Sequence, residues 1–580
     1  MTLIVERNVP VKAAQHLESA GVLPLMARLL AARGVDEFSK LGANLSNLIP
    51  PHLLTNNQAM AKLLADAIVA NKKLLVIGDY DADGATATAV AIKGLRAFGA
   101  EVDFLVPNRF EYGYGLTPEI IQLAVSSMPA TQKPDVIITV DNGIASVDGV
   151  ALANALGMQV LITDHHLPGQ ETPQAACIIN PNQHGCTFPS KNLAGVGVMF
   201  YGLLCLRAEF RARGFYEQKP EPNLTELLDL VALGTVADLV KLDDNNRILV
   251  EQGLRRIRAG VCSQGILALL HVSGRQHQMV NAQDLGFYVG PRLNAAGRLD
   301  DMALGIKCLL TDSAVEAAQI AQQLHALNLQ RRSIEADMQE SANISLDDLN
   351  VSHQYAISLY RSDWHQGVIG ILASRIKERF HRPVIAFADA GNGLLKGSGR
   401  SIAGLHMRDA LDLLSKHQPD LIVRFGGHAM AAGLSIKQKD FERFNQSFEV
   451  VVQGLITQAD LESVLEVDGS LSNADMTFQT AQVLENHVWG QGFAPPLFYD
   501  AFEVLNQRVL GEKHLKLTLK PISERVNSEM LGSQSTATML EAIYFNHTDF
   551  LADRVQLAYQ LQTNRYNGVQ KVQLNVRYVA

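Results

Sequence analysis

Three short apolar runs in the first third of the chain predict buried strands. They cover residues 74–78, 136–140 and 160–163, and each is rich in β-branched residues and followed by helix-compatible sequence. Runs that are apolar on both faces and alternate with helical stretches are typical of parallel strands in an α/β sheet. The first third of the chain is therefore predicted to form an α/β domain around a parallel sheet.

Acidic and imidazole side chains follow each of these runs directly. In chain order they are Asp79, Asp81 and Asp83 after the first run, Asp141 after the second, and Asp164, His165 and His166 after the third. The carboxyl ends of parallel strands meet along one edge of the sheet, where such folds bind ligands. The pattern therefore predicts that these side chains lie together and bind divalent cations, which would offset the repulsion among the carboxylates.

Two other interpretations of the first acidic cluster are weaker. Asp79-x-Asp81-x-Asp83-Gly84 matches the opening of an EF-hand loop, but the twelfth position is Val90 instead of a bidentate Glu, and a strand precedes the loop where a helix should. Asp-Gly and Asn-Gly pairs also mark simple turns, but a turn needs no more than one Asp. Carboxylates with imidazole and no thiolate favour Mn²⁺ or Mg²⁺ over a structural zinc.

The rest of the chain divides into segments of different pattern. Residues 1–60 are expected to be a helical lead-in, residues 61–243 the metal-binding α/β domain, and residues 244–348 a helical connector that contains a long polar-faced run at 313–341. A second α/β pattern occupies residues 349–458. From 459 to 580, short alternating runs at 464–467, 502–505, 515–519 and 572–576 predict a small β barrel.

Several motifs together resemble one protein family. Asp164-His165-His166 is similar to the signature triplet of the DHH phosphoesterase superfamily, and the stretches around Asp79, Asp141 and Asp238 resemble its first, second and fourth motifs. The segments 291–299, 363–370 and 425–433 resemble motifs of the RecJ branch, which are bacterial single-strand-specific 5′ exonucleases, and they occur in the RecJ order. The resemblance implies a DHH catalytic domain joined by a long helix to a DHH-associated substrate-binding domain, followed by an OB-like nucleic-acid-binding barrel.

The implied chemistry is two-metal hydrolysis of phosphodiesters. Asp141 comes from the middle of the three strand ends and is our candidate to bridge two ions of Mn²⁺ or Mg²⁺. The resemblance gives as further ligands Asp81, Asp83, His165 and Asp238, with Asp79 either a ligand or a neighbour of one. Since adjacent residues after a strand cannot easily face one ion, His166 is expected to contact the scissile phosphate or to orient a neighbour.

Residues outside the metal cluster must hold the substrate. Arg298, expected in a glycine-containing turn after Asn294, is a candidate phosphate clamp. Ser398 and Arg400 in one glycine segment, and Gly426, Gly427 and His428 in another, are expected to hold a terminal phosphate through exposed backbone N–H groups and one basic side chain each. Trp364 and His365 could stack on a base, although a core role for this tryptophan is as plausible.

Composition limits the remaining choices. The chain has 580 residues, 47% hydrophobic, and five cysteines without a CxxC pair, which fits unpaired thiols in a reducing cytoplasm better than disulfides. Its longest strongly apolar stretch, at 194–206, is too short for a membrane span. The net charge of −9 is unusual for a DNA-binding protein, but a sum of charges cannot report a local groove.

The expected activity is degradation of single-stranded DNA from 5′ to 3′ with release of 5′-mononucleotides, in recombination and repair. By resemblance the partners would be single-stranded DNA, a single-strand-binding protein and a repair helicase, with no membrane, and the protein would be a monomer. Two alternatives stay open: a short-oligonucleotide or cyclic-dinucleotide phosphodiesterase, which would lack the barrel, and a noncatalytic replication scaffold, which would have lost metal ligands.

Overall fold

The computed structural model describes residues 2–108, 111–112, 115–126, 133–217, 219–347, 353–522, 539–566 and 569–580. The expected domain boundary between residues 348 and 349 lies outside these residues.

The N-terminal segment is mainly helical but begins with a strand. Its elements are β1 (Leu3–Glu6), α1 (Val11–Ser19), α2 (Pro24–Ala31) and α3 (Asn57–Val69). The expected helical lead-in thus also contains a strand that the sequence pattern did not predict, and α3 crosses the boundary expected between residues 60 and 61. Helix α3 buries Met60, Leu64 and Ile68 in the same core as the first sheet, so its two halves belong to one packing unit.

The first α/β domain contains a five-stranded, all-parallel sheet of order β3-β2-β4-β5-β6. The strands are β2 (Lys73–Gly78), β3 (Glu101–Leu105), β4 (Val136–Val140), β5 (Gln159–Thr163) and β6 (Cys177–Ile179). The helices are α4 (Ala82–Ala97), α5 (Pro118–Ser126), α6 (Val147–Ala155), α7 (Gly195–Ala212) and α8 (Leu228–Ala237). Helices α4 and α7 cover one face and α5 and α6 the other, which explains why β2, β4 and β5 are apolar on both faces.

The connector is helical, as its sequence predicts. It consists of α9 (Asp244–Arg258), α10 (Gln264–Val272), α11 (Ala282–Asp284), a π-helical turn (Leu285–Val289), α12 (Gly290–Leu299), α13 (Ala303–Leu310) and α14 (Ala314–Asp347). The polar run at 313–341 suggests a solvated helix, but α14 is anchored at both ends. Leu324 is buried in the first core and Met338 in a core of the next domain, so α14 fixes one domain against the other.

The second α/β domain has a mixed sheet of order β10-β11-β9-β8-β7, in which β7 and β8 are parallel and the other pairs antiparallel. Its elements are β7 (Ile357–Tyr360), α15 (Ile369–Phe380), β8 (Val384–Asp389), β9 (Leu394–Arg400), α16 (Met407–His417), β10 (Ile422–Gly427), β11 (Ala431–Lys437) and α17 (Phe441–Leu455). The glycine segment around Ser398 is thus an inner strand whose backbone pairs on both sides. The expectation that its backbone N–H groups are exposed for a phosphate is wrong.

The C-terminal region forms a closed five-stranded barrel of order β13-β14-β15-β17-β16. Ahead of it come β12 (Val464–Val467) and α18 (Phe478–Asn486), and its strands are β13 (Phe498–Leu510), β14 (His514–Pro521), β15 (Leu540–Tyr544), β16 (Arg554–Tyr566) and β17 (Val569–Val579). The predicted strand at 464–467 exists, but its assignment to the barrel is wrong. It pairs in parallel with β1, since the sequence pattern of a strand does not specify a partner so far away.

One continuous hydrophobic core joins the N-terminal segment, the first α/β domain, the connector and the barrel, whereas the second α/β domain has cores of its own. The N-terminal segment also holds the chain between β12 and α18. Arg33 pairs bidentately with Asp468 at 2.8 and 2.9 Å and lies over the Trp489 ring. The second α/β domain is therefore an insertion, entered through α14 and left through β12. No helix in the described ranges is both long and apolar enough to cross a bilayer.

Candidate metal centre and substrate cleft

The turn after β2 brings three aspartates to one end of the sheet. Asp81 caps α4, because its carboxylate accepts the backbone N–H groups of Asp83 and Gly84, each at 3.0 Å. A Cβ on Gly84 would lie 2.6 Å from the carbonyl oxygen of Asp79, so the turn is tight enough to require glycine. The carboxylates of Asp79 and Asp81 thereby lie together with that of Asp141 within 4.8 Å.

Asp141 follows β4 with a left-handed backbone, φ +63°. Few residues other than glycine, asparagine and aspartate adopt this conformation readily, and strained backbone is often found at functional sites. The start of α7 approaches so closely that a Cβ on Gly195 would lie 2.5 Å from the Cβ of Asp141. Backbone and packing thus fix the direction of this buried carboxylate.

His165 connects the acidic groups. Its Nε2 lies 3.1 Å from Asp141, 3.5 Å from Asp238 and 4.0 Å from Asp83. Asp83, His165 and Asp238 form a second group whose ligand atoms all lie within 4.8 Å, and Asp141, His165 and His166 form a third. All seven residues predicted for the metal cluster or its catalysis are therefore in one place, although their individual roles stay predictions.

Burial and the neighbouring carboxylates make ionisation of the acidic side chains in this cluster less favourable. Burial, followed by the charges of Asp238 and Asp81, raises the pKa of Asp83 to about 7, although its carboxylate accepts the N–H groups of Gly195 and Val196. Burial and the neighbouring carboxylates also raise the pKa of Asp141 and Asp238 well above the usual value. Without cations, ionising all of these carboxylates together is therefore unfavourable, and bound divalent cations would offset that repulsion.

The residues present fit bound divalent cations. Asp141 Oδ1 and His165 Nε2 are buried atoms, 3.1 Å apart, and neither makes a well-aligned hydrogen bond to any described residue, which is uncommon for polar atoms in a folded interior. Both are atoms that coordinate Mn²⁺ or Mg²⁺, and the surrounding ligand set is rich in carboxylate oxygen.

Asp164 belongs to the cluster predicted from the sequence, but it was given no individual role there. It is buried, accepts the backbone N–H groups of His165 and His166 at 2.7 and 3.0 Å, and contacts His166 Nδ1 at 2.8 Å. Burial alone would lower the pKa of His166, but the charge and hydrogen bond of Asp164 raise it to about 9. Asp164 thus orients His166 and favours its cationic form, and the first position of the Asp-His-His triplet was the signal for this role.

Helix α12 connects the metal cluster with the second α/β domain. The Asn294 side chain accepts the backbone N–H of Ala82 at 2.7 Å, and the Arg298 side chain donates to the Gly367 carbonyl oxygen at 3.0 Å. Arg298 lies in this helix and not in the expected turn. Both residues therefore have structural contacts at the cleft, and their direct contact with substrate stays a prediction.

The second α/β domain forms the opposite wall of the cleft. His428 stacks on His166 across the cleft, with ring centroids 5.7 Å apart. In the sheet behind it, Gly426 pairs with Gly433 and Gly433 with Ser398. Cβ atoms on Gly426 and Gly433 would meet no neighbour among the described residues, so the wall is open along the row formed by Gly426, Gly433 and Ser398. Gly433 is a second residue that the predictions did not assign.

Arg400 lies beside that row and is largely buried. Its guanidinium donates to Ser398 Oγ at 3.1 Å and to the Gly399 carbonyl oxygen at 2.8 Å. Burial lowers its pKa, and no acidic group in the described part of the chain contributes an opposing shift. Gly427 has φ +145° and its added Cβ would collide with the backbone of Ala431, so it shapes the turn that carries His428.

Trp364 does not face the cleft. It is only 5% exposed, and its indole N–H donates to Ser341 Oγ at 3.0 Å. The core role is the correct one of the two alternatives, because the ring seals α14 against the second α/β domain.

Comparison with known proteins agrees with this architecture. Residues 73–235 match the DHH family N-terminal domain, residues 352–454 the DHHA1 domain, and residues 467–578 the RecJ OB domain. The single-stranded-DNA-specific exonuclease RecJ of Salmonella typhimurium is 48% identical over 567 residues, covering 96% of this chain and 95% of that protein. The protein of the same name from Thermus thermophilus is 34% identical over 467 residues, covering 80% of this chain and 64% of that protein.

Solved structures give the same result. The crystal structure of RecJ from Thermus thermophilus in complex with Mn²⁺ matches with a TM-score of 0.79 and 29% identity, covering 100% of this chain and 79% of that one. The complex with Mg²⁺ matches with a TM-score of 0.75 and 28% identity, covering 100% and 78%. With three matching domains in order and near-half identity over almost the full length of a relative, the chain belongs to the RecJ family of DHH proteins.

Proposed function

We propose that this protein is a metal-dependent exonuclease that degrades single-stranded DNA from the 5′ end and releases 5′-mononucleotides. The observation that carries the proposal is the cleft itself. A cluster of carboxylates and histidines lies on one wall, Arg400 lies half-buried in the sheet of the other with no acidic partner among the described residues, and the His166–His428 stack joins the two walls. Relatives named single-stranded-DNA-specific exonuclease over nearly the whole chain support the same activity.

Two Mn²⁺ or Mg²⁺ ions bound by the predicted ligands would activate a water and offset charge on the phosphoryl oxygens. Asp141 and His165 each belong to two of the three ligand groups, and Asp141 would be the ligand shared by both ions because a carboxylate has two oxygens to offer. Asp79, Asp81, Asp83, His165 and Asp238 would complete the ligand set. Cationic His166, held by Asp164, would contact the scissile phosphate and offset charge that develops there.

The second wall would select the end of the strand. Ser398 and Arg400 offer a hydroxyl and a guanidinium beside the open row at Gly426 and Gly433, where a phosphate can approach without meeting side chains. His428 lies between this row and the metal cluster. A terminal 5′ phosphate held there would place the next phosphodiester at the metals, so one nucleotide would leave in each cycle.

The first test measures metal dependence and polarity. Single strands labelled at the 5′ or the 3′ end are digested in parallel, with Mn²⁺ or with chelator. Immediate release of labelled mononucleotide from the 5′-labelled strand, with the 3′ label retained until late, is expected only with metal. Release from the 3′ end would reverse the proposed polarity.

The second test uses Arg400→Ala on strands with a 5′ phosphate or a 5′ hydroxyl under single-turnover conditions. A charge-assisted contact contributes roughly 1.5–3 kcal/mol, so use of the phosphorylated end should fall about tenfold or more. The hydroxyl end should lose much less. Arg443→Ala, which removes an exposed arginine paired with Asp420, is the matched control and should leave both rates unchanged. Equal losses on both ends would mean that Arg400 is structural.

The two alternative functions are less well supported. A phosphodiesterase for short oligonucleotides or cyclic dinucleotides would not need the barrel, which this chain has. A noncatalytic scaffold would not need a complete ligand set, and every expected ligand lies in the cluster. Interaction with a single-strand-binding protein and a repair helicase, a monomeric state, and a cytoplasmic role in recombination and repair belong to this proposal through the family resemblance.

A further inference from the structure

We propose that Phe287, in the π-helical turn before α12, stacks on a nucleobase of the substrate strand on the 3′ side of the scissile phosphate. This inference rests on the proposed function and adds a contact to a base, whereas the residues discussed above contact metal ions or phosphates. It begins from exposure: at 74%, Phe287 has the most exposed large hydrophobic side chain in the described part of the chain. A single exposed apolar residue needs no explanation by itself, so its location carries the argument.

The π-helical turn packs directly on the end of the helix that presents Asp238. A Cβ on Gly286 would lie 3.3 Å from Val236 Cγ1, and one on Gly290 would lie 3.1 Å from the Cβ of Ala237. Val236 and Ala237 immediately precede the predicted ligand Asp238. Phe287 is therefore attached next to the metal centre and not on a distant surface.

The neighbours of Phe287 leave only this side chain free to contact a ligand. Leu285 and Val289 are buried, and Tyr288 is covered by Arg275, whose guanidinium lies 3.8 Å from the ring centroid and pairs with Asp284 at 3.2 Å. π-Helical turns are rare and often occur at functional sites. The fixed turn thus holds one bare aromatic ring next to the metal centre.

A second exposed apolar side chain lies on the other side of Asp238. Leu239 is 67% exposed and has a left-handed backbone, φ +60°. A leucine in this conformation is strained, and strain of this kind persists where the surrounding structure holds it. Phe287 and Leu239 are thus two exposed apolar side chains on segments next to Asp238, and an apolar surface there would suit nucleobases better than phosphates.

The direction of α12 places this surface on the 3′ side. Arg298, at the C-terminal end of the helix, contacts Gly367 of the domain that carries Arg400, and Asn294 contacts the metal-binding turn at Ala82. Phe287 lies about seven residues further back, roughly 10 Å along a helix axis. A strand whose 5′ phosphate is at Arg400 would pass the metals near Asn294 and then reach Phe287 one to three nucleotides later.

The test measures binding of 5′-phosphorylated single strands to the full chain by fluorescence anisotropy in chelator, so that no cleavage occurs. Strands are intact or contain one abasic residue at position 2, 3 or 4. Stacking of one base on an aromatic ring should make Phe287→Ala bind the intact strand about 5- to 100-fold more weakly. Phe287→Trp should retain affinity. Phe38→Ala is the matched control, since Phe38 is a 54% exposed phenylalanine of the N-terminal segment, and it should bind as wild type does.

The abasic strands identify the contact. At one position, loss of the base should weaken binding to wild type as much as Phe287→Ala does, and the two changes together should cost no more than either alone. Since Phe287 is exposed, its removal leaves no cavity that could unfold the protein. Unchanged binding by Phe287→Ala would overturn the inference. So would effects of Phe287→Ala and of base removal that are independent, and therefore multiply, at all three abasic positions. Failure of the wild-type protein to bind single strands would instead contradict the proposed function.

Discussion

At the scale of single residues, the clustered carboxylates are needed for catalysis but lower the stability of the protein when no metal is bound. Asp141→Asn removes a buried charge whose pKa is already raised by burial and by Asp83 and Asp81. We expect metal-dependent cleavage to fall on the order of 100-fold or more, because several kcal/mol of charge stabilisation is lost. In chelator the variant should resist heat at least as well as wild type, because asparagine also adopts the left-handed backbone. Single-turnover cleavage and thermal unfolding check both parts. Asp337→Asn, an exposed change on α14, should alter neither, and near-normal turnover of Asp141→Asn would rule out its bridging role.

The same cluster should make the stability of the metal-free protein depend on pH. The pKa of Asp83 is about 7 in the folded state and 3.8 for an ordinary, solvated aspartate, as in the unfolded chain, so the folded state binds more protons between these values. The unfolding free energy should therefore fall as pH rises from about 4 to about 7. Asp83→Asn should reduce this slope without abolishing it, because the pKa values of Asp141 and Asp238 are shifted in the same direction. Denaturant unfolding in chelator at pH 5 and pH 8 measures the slope, and a wild-type protein that is more stable at pH 8 would contradict the account.

At the scale of elements, close packing of α12 on the turn after β2 determines the position of the metal ligands. A Cβ on Gly297 would lie 1.9 Å from the carbonyl oxygen of Tyr80, which is backbone and cannot rotate away. Gly297→Ala should destabilise the protein by about 1–3 kcal/mol and lower single-turnover cleavage by tenfold or more, because the ligands would be displaced. Gly454→Ala is the matched control: a Cβ there meets no described neighbour, so stability should rise by about 0.5–1 kcal/mol with cleavage unchanged. Equal behaviour of the two variants would mean that α12 can shift freely.

The helices and strands also show which features of the fold and site could be predicted from the sequence alone. Asp79, Asp141 and His165 could be brought together from sequence because the ends of parallel strands must meet, whatever the loops between them do. The partner of the strand at Val464–Val467 could not be predicted, because an alternating pattern indicates that a strand forms but not which strand it pairs with. The helical position of Arg298 was also missed. The neighbouring Gly297 suggested a turn, but this glycine lies in a helix and is needed because the helix packs closely against the backbone of Tyr80. The local sequence pattern indicates where helices and strands form, and side-chain packing determines which of them contact one another.

At the scale of the whole molecule, a buried ion pair links the N-terminal segment to the chain that follows β12. The side chains of Arg33 and Asp468 are 1% and 2% exposed. Arg33→Met should leave Asp468 buried without its main partner and destabilise the protein by about 3–5 kcal/mol. Arg28→Met, which removes an exposed contact to the Ser470 carbonyl oxygen and a longer-range attraction to Asp500, should cost far less. Denaturant unfolding measures the difference. A double variant that also changes Asp468 to Asn should recover part of the loss, and equal stability of the two single variants would argue against the ion pair.

The pairing of β1 with β12 also affects how the protein is made. About 460 residues separate Leu3–Glu6 from Val464–Val467, so the first strand leaves the ribosome long before its partner exists. At about 5–20 residues per second, this interval lasts roughly 20–90 s. During that time the apolar face of the N-terminal segment lacks the barrel that completes its core. Newly made chains should therefore need protection by chaperones until the barrel emerges, and the fold would be complete only once Leu3–Glu6 can pair with Val464–Val467.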